Sequence, residues 1–220
     1  MTAWIVLQLA DSAFPTGGFA HSAGLEAMIQ AGELRSAAEV EAFVVDTVWQ
    51  TARGALPLVS ATHDDPARLE EVDRYAGVLT WSHIAARASK NQGRALLDTA
   101  ARAFRHTLLV DARDRVMRGE LLGHLAPAFG FVTRALDVTR DDALATYLHL
   151  AARGVLSSAI RLGVLGPTEA QAVHLRLHPT LEAASVRART STLDDVAQSA
   201  PIVELVQATH DRLYSRLFQS

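Results

Sequence analysis

Apolar residues in this chain recur at spacings of three and four over most of its length, and nowhere is there an alternating run of four or more β-branched residues. Spacings of three and four line up one stripe of an α-helix, whereas a half-buried strand needs a period of two. The chain is therefore confined to an all-α fold. Val40, Phe43, Val44, Val48 and Ala52 follow Ser36 and Glu39, which read as an N-cap and its capping box. Leu69, Val72, Ala76, Leu79 and His83 follow Asp65-Pro66, a cap and a first-turn proline. After Thr139 the residues Leu144, Leu148, Ala151, Val155, Ala159 and Leu162 keep the same rhythm. Gly166-Pro167 closes that helix and opens another, and Pro179 and Pro201 mark further starts. Between Ile84 and Phe104, Ala85, Ala86, Ala88, Ser89, Gly93 and Ala95 allow a neighbouring helix to come close. Two stretches read as irregular. Arg105 to Glu120 carries an Asp and Arg cluster suited to a solvated loop or frayed helix, and Pro127 and Gly130 predict a break after the pattern resumes near Leu121. The expectation is a single compact bundle of roughly ten helices, one domain over residues 1–220.

Composition sharpens this. Of the 220 residues, 49% are hydrophobic but only 6% aromatic, so the core must be built from Ala, Leu and Val, which suits close helix packing. A net charge of −3 offers no excess of cations to displace counterions from phosphates, which argues against nucleic acid as the main partner. The absence of cysteine excludes disulfides, thiolate metal sites and cysteine nucleophiles. Gly154 to Gly166, the longest nearly uncharged stretch, contains Arg161 and falls short of the about 20 apolar residues that span a bilayer. With no basic, apolar leader at the start, the chain is expected to be cytoplasmic and off the membrane.

Few residues suggest chemistry of their own. Lys90, the only lysine, is followed by Asn91 and lacks the glycine spacing of a phosphate loop, so GTP or ATP would have to sit on another chain. Ala20-His21-Ser22-Ala23-Gly24 resembles a nucleophile elbow, which would make Ser22 a hydrolase nucleophile, but a Pro-Thr-Gly-Gly turn replaces the strand that an elbow requires. Ser22 fits better as the cap of a helix beginning at Ala23. His174 and His178 are spaced to share a helix face as weak metal candidates, although Pro179 weakens the helix there and no third ligand is near in sequence. His63-Asp64-Asp65 reads more simply as a helix end followed by a cap than as a metal site. Arg161, among small and aliphatic neighbours, either reaches solvent as an ordinary partly exposed arginine or is held with an acid in an interface or core pair.

Both chain ends are unusually apolar. Phe14 and Phe19 flank Pro15-Thr16-Gly17-Gly18, and loops rarely carry two such aromatics unless they pack under the core or against a partner. The end, His210-Asp-Arg-Leu-Tyr-Ser-Arg-Leu-Phe-Gln-Ser220, gathers Leu213, Tyr214, Leu217 and Phe218 into a stripe, with Arg212 and Arg216 on a separate helical edge. Such an end must bury itself on its own domain or in another protein. The wide apolar stripe from Thr139 to Gly163, carrying Tyr147 and Arg161, is a candidate self-association face.

The run Trp4 to Glu26 closely resembles the N-terminal signature of the UreF family of urease accessory proteins. The resemblance recurs at His124 to Gly130, at Ser157 to Gly163 with Gly166-Pro167, and at His210 to Phe218. It implies a non-catalytic nickel-insertion chaperone component that binds UreD (also called UreH), recruits the GTPase UreG, docks on apo-urease and forms a homodimer. It implies no tightly bound cofactor: nickel would be handled transiently by the complex, and GTP would stay on the partner. By the same resemblance Phe14, Pro15, Thr16, Gly17, Gly18, Phe19, His21, Ser22 and Glu26, with His210, Leu213, Tyr214, Arg216, Leu217 and Phe218, would contact partners as an N-terminal segment and a C-terminal tail, 210–220. The rivals are a helical adaptor unrelated to nickel and a serine hydrolase using Ser22.

Overall fold

The computed structural model describes residues 2–219; Met1 and Ser220, the last residue of the expected tail, lie outside the described residues. The fold is all-α, with no β-strand among the described residues. In order the helices are α1 (Thr2–Ala10), α2 (Leu25–Gln30), α3 (Ala37–Gln50), α4 (Leu56–Asp64), α5 (Leu69–Leu79), α6 (His83–Phe104), α7 (Thr107–Met117), α8 (Leu125–Ala135), α9 (Arg140–Arg161), α10 (Pro167–Arg176), α11 (His178–Ala188) and α12 (Pro201–Ala208). The expected bundle of roughly ten helices is what forms. The capping box read from the sequence at Ser36 is in place: the Ser36 hydroxyl accepts the Glu39 amide while the Glu39 carboxylate takes the Ser36 amide in return.

The segment 105–120 departs from expectation. His106 accepts the Leu108 amide and starts α7, whose Leu109 and Ala112 are buried. The acids and arginines of the segment pair with one another and with α5, Arg113 with Asp114, Arg115 with Glu70, and Arg118 with Glu120 just past the end of α7. The break expected at Pro127 and Gly130 is absent too, because α8 runs through both. Pro127 is the third residue of the helix, where its missing N–H had no intrahelical partner to lose. Gly130 is there for closeness: a Cβ on it would stand 2.1 Å from the Val59 carbonyl oxygen and 2.3 Å from Thr62 Oγ1 of α4.

α8 lies between α4 and α6, and α9 touches α1, α3, α4, α8, α10 and α11. Almost every turn of α9 is thus covered by its own chain. Its stripe is core, with Ala143, Leu144, Leu148, Ala152, Val155 and Ala159 buried. Tyr147 sits edge-on against Phe129 at 5.2 Å between ring centroids, and burial raises its phenol pKa. The apolar width of α9 reflects burial on several sides rather than an outward face for a second copy.

Two buried acids organise the loops. Asp73 of α5 accepts the amides of Leu122, Gly123 and His124 at 2.5, 3.0 and 2.7 Å, so it closes the loop that starts α8. Ser89 of α6 secures the same place, meeting the His124 ring and the Leu125 amide at 3.1 Å each. An Asp73→Ala variant leaves three amides with no acceptor and should lose roughly 3 kcal/mol or more of stability, whereas Asp73→Asn, which keeps one carbonyl acceptor, should lose less. Urea unfolding of the pair checks this; equal midpoints for wild type and Asp73→Ala would refute it.

The second acid is Glu26, and it holds the C-terminus.

Candidate functional site: the latched C-terminal strap

Pro57, second residue of α4, has no N–H to offer the carbonyl of Arg53 four residues earlier, and the chain from Thr51 to Ala55 widens into a π-turn between α3 and α4. The freed Arg53 carbonyl accepts the amide of Ala197 at 3.1 Å. Gln50, at the end of α3, extends the tie. Its Oε1 accepts from the Ser199 and Ala200 amides, and its Nε2 donates to Glu204 at 2.8 Å. These bonds set the start of α12, which lies over α2 and α6. Neither Gln50 nor Pro57 was singled out from the sequence; a proline in the second half of a helical pattern is the signal that could have pointed to this bend.

Beyond α12 the chain makes one 3-10 turn, His210–Arg212, and then continues without regular structure. The helix expected to carry Arg212 and Arg216 on one edge does not form. Instead a strap runs back across the N-terminal segment. The buried Glu26 carboxylate accepts from His210 Nε2 at 3.0 Å and from the Leu217 and Phe218 amides at 2.7 and 3.1 Å. Gln30 donates to the Ser215 carbonyl, and the Gln219 amide to that of Ala20. Phe218, only 4% exposed, lies under Arg161, whose guanidinium carbon is 4.3 Å from the ring centroid. Arg161 also donates to the Phe19 carbonyl. It therefore joins the two chain ends through a ring and a carbonyl, and not through an acid, one of the two readings of the sequence. At the strap's base Asp211 pairs with His83, Arg87 and Arg216.

The residues singled out at the two ends thus come together, but they divide by burial. Ser22, Glu26, His210 and Phe218 are interior to this chain, so in this form they support the surface rather than make it up. Phe14 stacks on Phe104 of α6 at 6.5 Å between centroids, and the Pro15 carbonyl faces the Thr99 hydroxyl. What is left outward is Phe19 at 77% exposure, Tyr214, which is fully exposed, and Leu217 at 52%, with Trp4 and Leu7 of α1 exposed as well.

Ser22 is fully buried and its hydroxyl accepts the Glu26 amide at 3.4 Å; α2 begins at Leu25 rather than Ala23, because Ala23 and Gly24 both take positive φ. The preceding elements are a helix and a 3-10 turn, so the strand-to-turn elbow of a serine hydrolase is not built here. His63, in the last turn of α4, reaches the Val138 carbonyl at 2.8 Å, and Asp65 caps the next turn through the Ala67 amide.

His174 and His178 do not share one helix, since α10 stops at Arg176 and α11 starts at His178. Their rings still meet edge to face at 5.9 Å, and the fold adds a third that sequence spacing could not show, His149 of α9, stacked on His174 at 5.3 Å. Among the described residues no group of three or more His, Cys, Asp or Glu side chains is placed to hold a metal ion. Burial, then the neighbouring imidazole, then Arg153 lower the pKa of His149 and of His174. A histidine with a lowered folded-state pKa takes its proton first in the unfolded chain, so stability falls as pH drops below the ordinary value of about 6.5. His21 and His124, lowered chiefly by burial, add in the same direction. The denaturation midpoint should therefore fall between pH 7 and pH 5.5, and less steeply in a His149→Gln/His174→Gln variant. Parallel pH profiles for the two proteins would refute the assignment to this pair.

Compared with known proteins, residues 34–178 match the UreF family model. The chain belongs to the UreF family. Similarity to UreF proteins extends well beyond that core. The chain is 33% identical to urease accessory protein F of Arabidopsis thaliana over 226 residues, covering 99% of this chain and 92% of that protein. It is 30% identical to the protein of the same name from Oryza sativa, covering 98% and 84%, and 29% identical to urease accessory protein UreF of Trichodesmium erythraeum, covering 97% and 94%. These UreF alignments take in both ends of the chain as well as its middle. Among the described residues no helix is long and apolar enough to cross a membrane.

Proposed function

We propose that this chain is a non-catalytic scaffold of urease maturation that binds UreD (UreH) through the surface where its two ends meet and brings the GTPase UreG to apo-urease for nickel delivery. One observation carries the reading: Glu26, Arg161 and Phe218 spend a buried carboxylate, a guanidinium and a buried ring on holding a strap that leaves Tyr214 and Leu217 exposed, and the same Arg161 holds the Phe19 carbonyl while the Phe19 ring stays exposed. Large apolar side chains left exposed on a surface that is otherwise tied down mark a protein contact. A scaffold of this kind couples GTP hydrolysis to delivery only if the partner's nucleotide states bind it with different free energies. Nickel is cargo in this reading, and the nucleotide remains on UreG. A homodimer in the cytoplasm belongs to the same reading, through a face other than the covered α9.

The test is a pull-down with UreD and UreG homologues using Tyr214→Ala/Leu217→Ala, which touches only exposed side chains, alongside a chain ending at 209. The double variant should keep wild-type helicity and lose UreD at least tenfold. Undiminished recovery of UreD by both variants would refute the surface, and no association of the wild-type chain with any urease component would favour an adaptor unrelated to nickel.

A further inference from the structure

Between α3, the π-turn, the α5–α6 connection, α8 and α12 lies a cavity of about 280 Å³. Much of its wall is small or aliphatic, including Ala55, Leu58, Ala85 and Val203. Glu204 of α12 stands in that wall, half-buried. Its Oε2 accepts the indole N–H of Trp81 at 2.5 Å and its Oε1 the Gln50 amide at 2.8 Å. Both donors are neutral, and among the described residues no Arg, Lys or His is near enough to pair with it or to lower its pKa; burial is the main influence, and raises it. A carboxylate facing an apolar hollow with nothing to balance it is unfavourable, and a cation entering the hollow relieves that. Trp81 both lines the cavity and is 54% exposed, so it stands at the mouth, where an indole face attracts a cation. Val78, just before it at the end of α5, is exposed as well. An apolar mouth around a single half-buried charge is the form of a pocket that anchors one side chain of a docking protein.

We propose that this cavity receives an Arg or Lys side chain from a partner protein, its cationic head paired with Glu204 and its alkyl stem lying along the wall past Trp81. This rests on the reading that the chain docks on other maturation proteins, but its first test needs none of them, so the two can fail separately. In that test N-butylguanidinium is titrated into the full chain while the Trp81 indole N–H resonance is followed by NMR, with pentanamide as a neutral molecule of similar shape. The cation should shift that resonance saturably and bind at least tenfold more tightly than pentanamide. Glu204→Gln should abolish the preference. Ala85→Leu, which fills part of the cavity and leaves both bonds to Glu204 alone, should weaken both probes; it keeps the test decisive if Glu204→Gln unfolds. Equal binding of the two probes, or an unmoved Trp81 signal, would overturn the proposal. In the second arm the wild type and Ala85→Leu are co-purified with the other urease maturation proteins, and Ala85→Leu should recover at least one of them tenfold less well. Full recovery of every partner by a variant that has lost the probe would assign the cavity to a free amine and overturn the partner's part in it.

Discussion

Gly130→Ala should lower the thermal denaturation midpoint sharply, although it adds one methyl group in the middle of a helix, where alanine is normally favoured over glycine by about 1 kcal/mol. At this position the new Cβ meets the Val59 carbonyl at 2.1 Å and Thr62 Oγ1 at 2.3 Å. Neither atom can yield cheaply. The carbonyl belongs to the backbone of α4, and the Thr62 hydroxyl is committed to the Pro127 carbonyl at 2.9 Å. α4 and α8 must part to make room, and that opens the apolar contact between them. Overpacking of this kind costs on the order of 3 kcal/mol or more, a large share of the roughly 5–15 kcal/mol that holds a domain together. Gly93 makes the same kind of close approach, since a Cβ there would stand 2.3 Å from the Gly123 carbonyl. Gly54, whose nearest neighbour would be 3.6 Å away, is the control, and Gly54→Ala should be nearly neutral by thermal denaturation. A Gly130→Ala protein with a wild-type midpoint would show that α4 and α8 are not in contact as described.

Glu26→Ala should release the C-terminal strap without unfolding the bundle. The substitution leaves the Leu217 and Phe218 amides and His210 Nε2 without their acceptor, while the apolar core formed by α4, α6, α8 and α9 is untouched. Losing acceptors for buried donors costs about 2 kcal/mol, which corresponds to a roughly thirty-fold rise in opening of the strap. Hydrogen exchange at residues 217–219 should speed up accordingly, with little change at buried amides of α9. Glu26→Gln keeps one carbonyl oxygen and should fall between the two. Because Tyr214 and Leu217 are displayed by this strap, the UreD contact proposed above predicts that recovery of UreD weakens along with protection. Unchanged exchange at Leu217 and Phe218 would mean that Glu26 does not hold the strap.

Much of the architecture was legible along the chain. The caps at Ser36 and Asp65 are local chemistry, in which a side chain meets an amide two or three residues away, and the stripe from Leu144 to Leu162 needs only helical geometry to be seen. The segment 105–120 was misread because its charges hid a narrow apolar edge, Leu109 and Ala112, that has meaning only against α6 and α8. Pro127 and Gly130 were misread for a related reason: both are breakers by intrinsic preference, and only position within the helix and the nearness of α4 turn them into fitting choices. At the site, Phe19 and the 210–218 block stood out as apolar residues where polar ones are usual. The role of Glu26 did not stand out, since its bonds reach residues 184 to 192 positions away.

The sequence by itself determined the helical class, most helix boundaries, the lack of thiol chemistry and the motifs of the family, because each depends on residues within a turn or two of one another. Only the tertiary structure decided that α9 is enclosed, that His149 joins His174, that Glu204 faces a hollow with no countercharge among the described residues, and that the chain's two ends form one surface. Those depend on distances between residues far apart in the chain, which are set by how the helices pack together.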